Sequence, residues 1–120
     1  MTDQTKPAAG DPADLPLAGL RIIDFSRLLP GPWCTQTLAD MGADVIKIEQ
    51  PDIGDYSRFN PPTYEEVGAY FNAVNRNKRS IALDLTQDDD YALARRLIAV
   101  EFQSGRGGSQ SADAVAAAAE

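Results

Sequence analysis

The sequence predicts an α/β protein with a parallel sheet, on three observations. Three short β-rich apolar runs follow one another, Leu20 to Phe25, Asp44 to Glu49 and Ser80 to Leu85. Stretches with helical spacing follow the first and the third. Strand, helix of about three turns and strand fit within ~30 residues, the length of a β-α-β unit, whose crossover should be right-handed.

The first run, Leu-Arg-Ile-Ile-Asp-Phe, is apolar on both faces, as a buried parallel strand is. Ser26 to Pro30 is turn-like. Gly31-Pro32 marks a helix start, where the donor that proline lacks would be unpaired in any case. Cys34, Leu38 and Met41 fall at i, i+4 and i+7 and predict the apolar face of that helix, with Gly42 as its C′ residue. Asp44 to Glu49 is the second strand. Gln50 to about Glu66, rich in Pro, Gly, Asp and Asn, reads as a long surface loop.

Tyr70, Phe71 and Val74, within Gly68 to Val74, predict a short helix on the sheet. Asn75 to Arg79 is a polar, basic turn. Ser80 to Leu85 alternates, with Ile81, Leu83 and Leu85 on one side, and predicts the third strand. Thr86 is expected to cap the next helix. Asp88, Asp89 and Asp90 suit its positive end, with Arg95 and Arg96 nearer its negative end. Tyr91, Ala94, Leu97 and Ile98 form its predicted apolar stripe.

The ends differ in character. Residues 1–16 read as a flexible leader without periodicity. Residues 100–120 read as a low-complexity tail with almost no large apolar residue after Phe102, where a repeating α/β protein would begin another strand. The ordered region is therefore expected over 17–99, as part of one domain.

Composition narrows the function. The chain has 120 residues, 43% hydrophobic and 24% charged, which suits one small globular domain. Its net charge of −7 argues against nonspecific binding to nucleic acid or anionic membranes. No run approaches the roughly 18 to 20 apolar residues of a membrane span. The amino terminus lacks a basic segment followed by an apolar core, so a cytoplasmic location is expected. Histidine is absent, which removes the commonest general base and zinc ligand. Cys34 is the single cysteine, so no internal disulfide can form.

Four groups are candidates for chemistry. The turn from Ser26 to Pro32 stands where open α/β sheets bind ligands, beyond a strand's carboxyl end and at a helix start. Asp24 and Glu49 stand near strand ends. A dinucleotide site would need a Gly-x-Gly-x-x-Gly turn, and Gly31 stands alone, so Asp24 is read as structural and Glu49 as a loop residue. Arg76, Lys78 and Arg79 could grip phosphates or form a solvated turn. Cys34, on the apolar helix face and without a histidine to activate it, is read as a buried structural thiol. The run Asp88 to Asp90 points in different directions along a helix, so it is read as helix-start electrostatics and no metal is expected.

Several of these segments resemble the class III coenzyme A transferase family, also called CaiB/BaiF. The resemblance rests on Leu17 to Arg27 with Gly31-Pro32, on Leu38 to Glu49, on Gly54-Asp55 with Arg58, on Tyr70-Phe71, and on Asn75 to Leu85 as its most specific signature. It covers residues 17 to about 98 and implies the amino-terminal β-α-β opening of a Rossmann-like, CoA-binding domain, incomplete here.

The resemblance carries further expectations. CoA, or an acyl-CoA, is expected as a substrate, with no tightly bound cofactor. Leu28, Leu29 and Pro30 would approach CoA from the first turn. Leu83, Asp84, Leu85 and Thr86 would line its adenine and phosphate region. Lys78 and Arg79 would have a phosphate-facing or structural role. Gln50 stands where many relatives have an arginine on a CoA phosphate, and a neutral amide would weaken that contact. The parent reaction would be CoA transfer between carboxylic acids through an aspartyl nucleophile, with a 2-methylacyl-CoA racemase as the alternative; either catalytic set would lie downstream of this sequence. A non-catalytic binding module, or a non-functional truncated product, are the remaining alternatives. The family's homodimer would depend on segments this chain lacks.

Overall fold

The structure, a computed structural model, describes residues 10–104, with side chains through Ala99. After a short 3-10 turn at Pro12–Asp14 come β1 (Arg21–Asp24), α1 (Pro30–Asp40) and β2 (Asp44–Glu49). A second 3-10 turn, Tyr56–Phe59, precedes a two-strand antiparallel hairpin of β3 (Thr63–Tyr64) and β4 (Val67–Gly68). Then follow α2 (Ala69–Asn75), β5 (Lys78–Ala82) and α3 (Asp88–Ser104). The main sheet runs β1-β2-β5 and is wholly parallel, with β2 in the centre. This is the predicted α/β fold with its β-α-β opening.

The register explains why the strands carry apolar residues on both faces. Residues two apart share a face, and partners in register share it too. Ile23, Ile46 and Ile48 face one way and pack with Leu83 and with Ala94 of α3. Ile22 and Val45 face the other way and pack with Ala39 of α1 and with Ala43. The α1 side changes character toward the carboxyl ends of the strands, where Asp24, Lys47 and Glu49 continue it.

That change shifts the predicted face of α1, of which Leu38 alone packs against the core. Cys34 and Met41 are exposed, and the buried positions are Pro32, Thr35, Gln36 and Ala39. The helix covers a sheet surface that is partly ionic, so it presents a hydroxyl there: Thr35 Oγ1 donates to Asp24 Oδ2 at 2.6 Å. Cys34 is thus an exposed free thiol rather than a buried one. Gly42, with φ +102, ends the helix as expected.

Three other boundaries move. The basic pair Lys78-Arg79 lies inside β5 rather than in the turn before it, because pairing begins at Val45↔Lys78. Thr86 donates its hydroxyl to Asp84 Oδ1 at 2.6 Å, and the Asp84 N–H reaches Asp90 Oδ2 at 2.8 Å, so Asp84 organises the entry to α3. In α3 the packed residues are Leu93, Ala94, Leu97 and Ile98, while Tyr91 is exposed. Of the two predicted flexible ends, residues 1–9 and 105–120 lie outside the described residues.

The stretch read as a surface loop is largely exposed, and two buried residues anchor it. Asp55 and Ser57 are fully buried, and Gly68 packs against the turn that holds them. A Cβ on Gly68 would lie 2.4 Å from the Ser57 carbonyl oxygen and 2.7 Å from that of Asn60. Both are backbone atoms that cannot rotate away. Gly68→Ala is therefore expected to destabilise the fold by about 3 kcal/mol, the upper range of overpacking. A lower urea midpoint at unchanged slope would show it, and an unchanged midpoint would refute it.

Candidate functional site

The carboxyl ends of β1 and β2 are built from buried charge. Lys47 is 1% exposed, and Asp24 and Asp55 are 0% exposed. Such groups are tolerated only when paired and hydrogen-bonded. Lys78 Nζ lies 3.1 Å from Asp24 Oδ2, and Lys47 Nζ lies 3.0 Å from Asp55 Oδ2. Glu49 meets Arg58 in two parallel contacts, Nε to Oε2 and Nη2 to Oε1, each 2.7 Å. The Arg58 guanidinium also lies 3.8 Å from the Phe71 ring centre, which ties α2 to the same assembly. Among the described residues no buried side-chain nitrogen or oxygen lacks a partner.

These pairs hold the turn after β1 from several directions. Asp24 Oδ1 accepts the Ser26 N–H at 2.8 Å and the Ser26 hydroxyl. Lys47 Nζ donates to the Ser26 carbonyl at 2.7 Å. Asp55 accepts the Leu28 N–H, 3.2 Å to each carboxylate oxygen. Lys78 Nζ also donates to the Pro32 carbonyl at 2.9 Å and to Asn75 Oδ1 at 2.8 Å. Strand end, turn and helix start are thereby fixed to one ionic core.

The same contacts set the protonation behaviour. Burial alone would raise the Asp24 carboxyl, but the Ser26 and Thr35 hydroxyls, the Ser26 amide and Lys78 hold it below the ordinary aspartate value. Burial of Asp55 is likewise outweighed by the Ser57 amide and hydroxyl and then by Lys47. Burial of Glu49 is outweighed by Arg58 and Ser80, with Arg58's charge and the Asp55 amide adding to them. Arg58 is raised, chiefly by its hydrogen bonds to Glu49. Lys78 is lowered because burial exceeds the help it gets from Asp24. All three carboxylates are therefore ionised at neutral pH.

The expected site residues divide in two. The 28–30 turn, Gln50 and the 83–86 segment follow the carboxyl ends of β1, β2 and β5, so the topology brings them to one edge of the sheet. Leu28 (48% exposed) and Leu29 (39%) stand open, as does Pro30. Gln50, Leu85 and Thr86 are exposed and Asp84 is half-buried, whereas the Leu83 side chain belongs to the apolar core. Lys78 and Arg79 stand apart. The Lys78 ammonium, 1% exposed, donates to three protein acceptors and has none left for a phosphate. Arg79 pairs with Asp44, at the amino-terminal end of β2, which also binds Arg21. A phosphate-facing role for Lys78 and Arg79 thus has no geometric support, because both are held by carboxylates elsewhere.

Glu49 is likewise no loop residue; it ends β2, buried against Arg58. Lys47, Asp55 and Ser57 were not legible as site residues. Their signals were a lysine inside an otherwise apolar strand and an Asp-x-Ser pattern, which makes an Asx turn: the Ser57 N–H reaches Asp55 Oδ1 at 3.0 Å. An open groove of about 310 Å³ adjoins this assembly, with Gln50, Ile53, Arg58 and Phe59 on its walls. No group of three or more potential metal ligands occurs among the described residues. No helix among them is long and apolar enough to cross a membrane.

Leu28, Leu29 and Pro30 offer an exposed apolar surface at the first turn, beside the exposed Arg27. The Leu28 amide is occupied by Asp55, and Pro30 and Pro32 have no N–H. Those three positions offer no free N–H, and the exposed Leu28, Leu29 and Pro30 side chains suit contact with hydrocarbon or an aromatic face.

A parallel sheet with a built βα turn at its carboxyl edge defines an α/β domain of the open-sheet kind, a class in which ligands bind at that edge. Comparison with known proteins sharpens this. The family model described as CoA-transferase family III matches residues 17–100. A succinate–glutarate CoA-transferase of Agrobacterium fabrum is 50% identical over 90 residues, covering 69% of this chain and 22% of the relative. A succinyl-CoA:mesaconate CoA-transferase of Haloarcula hispanica is 52% identical over 79 residues, covering 62% of this chain and 20% of the relative. A crystal structure of a CAIB/BAIF family protein from Brucella suis superposes with a TM-score of 0.66 at 47% identity, covering 72% of this chain and 24% of that one. The chain belongs to CoA-transferase family III. It spans about a fifth of the length of the curated relatives it matches.

Proposed function

We propose that this chain is the CoA-binding part of an enzyme that moves coenzyme A from an acyl-CoA donor to a carboxylate acceptor. The observation that carries this reading is the open 28–30 turn, held over a buried ionic core, in a chain of this family. Leu28, Leu29 and Pro30 offer apolar contact to the pantetheine arm or the adenine face. Gln50 and the 83–86 segment, at the same sheet edge, complete the binding surface. CoA enters as a substrate; nothing in the reading calls for a tightly held cofactor.

The names of the matched relatives favour transfer over racemisation. Relatives matched in sequence are named as transferases acting on succinate with glutarate, on mesaconate, and on formyl-CoA with oxalate. Succinate, glutarate, mesaconate and oxalate are dicarboxylates, so a dicarboxylate acceptor is the class we assign. Asp24 and Asp55 are enclosed in ion pairs and Asp44 lies between two arginines, so none of these three is placed to be the acyl-accepting nucleophile. The attacking carboxylate belongs to the rest of the parent enzyme.

Calorimetric titration of the purified chain tests the binding role. CoA is expected to bind saturably at one site, pantetheine to retain most of that affinity, and inorganic pyrophosphate to give no heat. Absence of CoA binding, or binding by pyrophosphate alone, would overturn the reading.

A further inference from the structure

One buried ion pair joins two loops that the sheet alone would leave independent. Lys47 comes from the middle of the central strand, and Asp55 from the segment that follows it. Lys47 holds the Ser26 carbonyl, while Asp55 holds the Leu28 amide. The backbone on either side of Arg27 is therefore gripped once at an acceptor and once at a donor. Leu28 has φ 66, a left-handed conformation that leucine adopts only when its surroundings impose it. Asp55 is in turn fixed by the Ser57 N–H at 3.0 Å and the Ser57 hydroxyl at 2.8 Å. Nothing in the sequence of the turn itself demands this shape; the restraint comes from residue 55, 27 positions away.

We propose that Lys47 and Asp55 are a positioning pair for the 26–30 turn, holding Leu28, Leu29 and Pro30 in the conformation that receives CoA. The assignment of CoA rests on the functional reading above; the restraint on the turn does not. Both residues are buried and face the turn from beneath, so they act through it and not on the ligand.

Backbone amide exchange and CoA titration together test this in the full chain. The Leu28 amide is expected to be protected in the native protein although its side chain is exposed. Two variants separate positioning from folding. Asp55→Asn leaves Lys47 buried without its anion, while the double variant K47M/D55N removes both charges and leaves no buried ion uncompensated. In either variant that retains protected β2 amides, Leu28 exchange is expected to rise at least tenfold and CoA affinity to fall about tenfold.

An unprotected Leu28 amide in the native chain overturns the proposal without any variant. So does unchanged Leu28 exchange in the folded double variant, or faster exchange with undiminished CoA affinity. If the native chain fails to bind CoA, the functional reading falls, and Leu28 exchange still decides whether the pair positions the turn.

Discussion

Replacing Lys47 by methionine is expected to cost the fold about 3–5 kcal/mol, the range for removing one partner of a buried ion pair. The methionine fills nearly the same volume, so packing is not what is lost. Asp55, 0% exposed, would keep its charge without the ammonium 3.0 Å away, and the Ser26 carbonyl would lose its donor. Three donors, the Leu28 and Ser57 amides and the Ser57 hydroxyl, would still face Asp55, which places the loss nearer the lower end of the range. Domains of this size are commonly stable by only ~5–15 kcal/mol, so much of the chain would be unfolded under mild denaturant.

Arg79→Ala supplies the contrast. Its pair with Asp44 is also short, at 2.6 Å, but the arginine side chain is 61% exposed. Exposed pairs contribute roughly 0.2–1 kcal/mol, so that variant should scarcely move the urea midpoint. If Lys47→Met and Arg79→Ala shift the midpoint equally, burial is not what makes the Lys47 pair important. The double variant K47M/D55N should recover much of the loss, because it leaves no uncompensated charge inside.

The three strands of the main sheet and the helices were readable because their signals are local, whereas the β3–β4 hairpin was not read as strand. Asp44 to Glu49 is found with the boundaries its composition implies, since five of its six residues are buried and these alternate between two covered faces. The face of α1 was not readable. Helical spacing singles out Cys34, Leu38 and Met41 as apolar, yet the surface beneath the helix contains Asp24, which selects Thr35. That partner comes from another element, 11 residues away, and no window of the helix's own sequence reveals it. The basic cluster was left open between two readings for the same reason. Lys78 looks like a phosphate ligand until β5 is placed beside β2, when its chain reaches across to Asp24 and Asn75. Charge in a sequence does not show whether its partner is a ligand or the protein.

Acid is expected to unfold the chain cooperatively, through the same core. Asp24, Glu49 and Asp55 all have folded-state pKa values below their ordinary ones. A carboxyl depressed in the folded state binds fewer protons there than in the unfolded chain, so stability rises with pH across the interval between the two values. The stabilisation is fully present above the unfolded values, about 3.9 for Asp and 4.3 for Glu. It is lost as pH falls from about 5 through those values and on through the depressed folded ones. Burial adds a second expectation. Mobile ions screen exposed pairs such as Arg76–Asp40, whose arginine is 57% exposed, far more than pairs that water does not reach. Urea unfolding followed from neutral pH down to about pH 3 should therefore show a falling ΔG whose onset changes little when salt is raised from about 0.05 to 0.5 M. A flat profile would mean that Asp24, Glu49 and Asp55 are not held in these pairs. A profile that salt abolishes would place the responsible charges on the surface, with Asp44, and would remove the ionic core from beneath the turn.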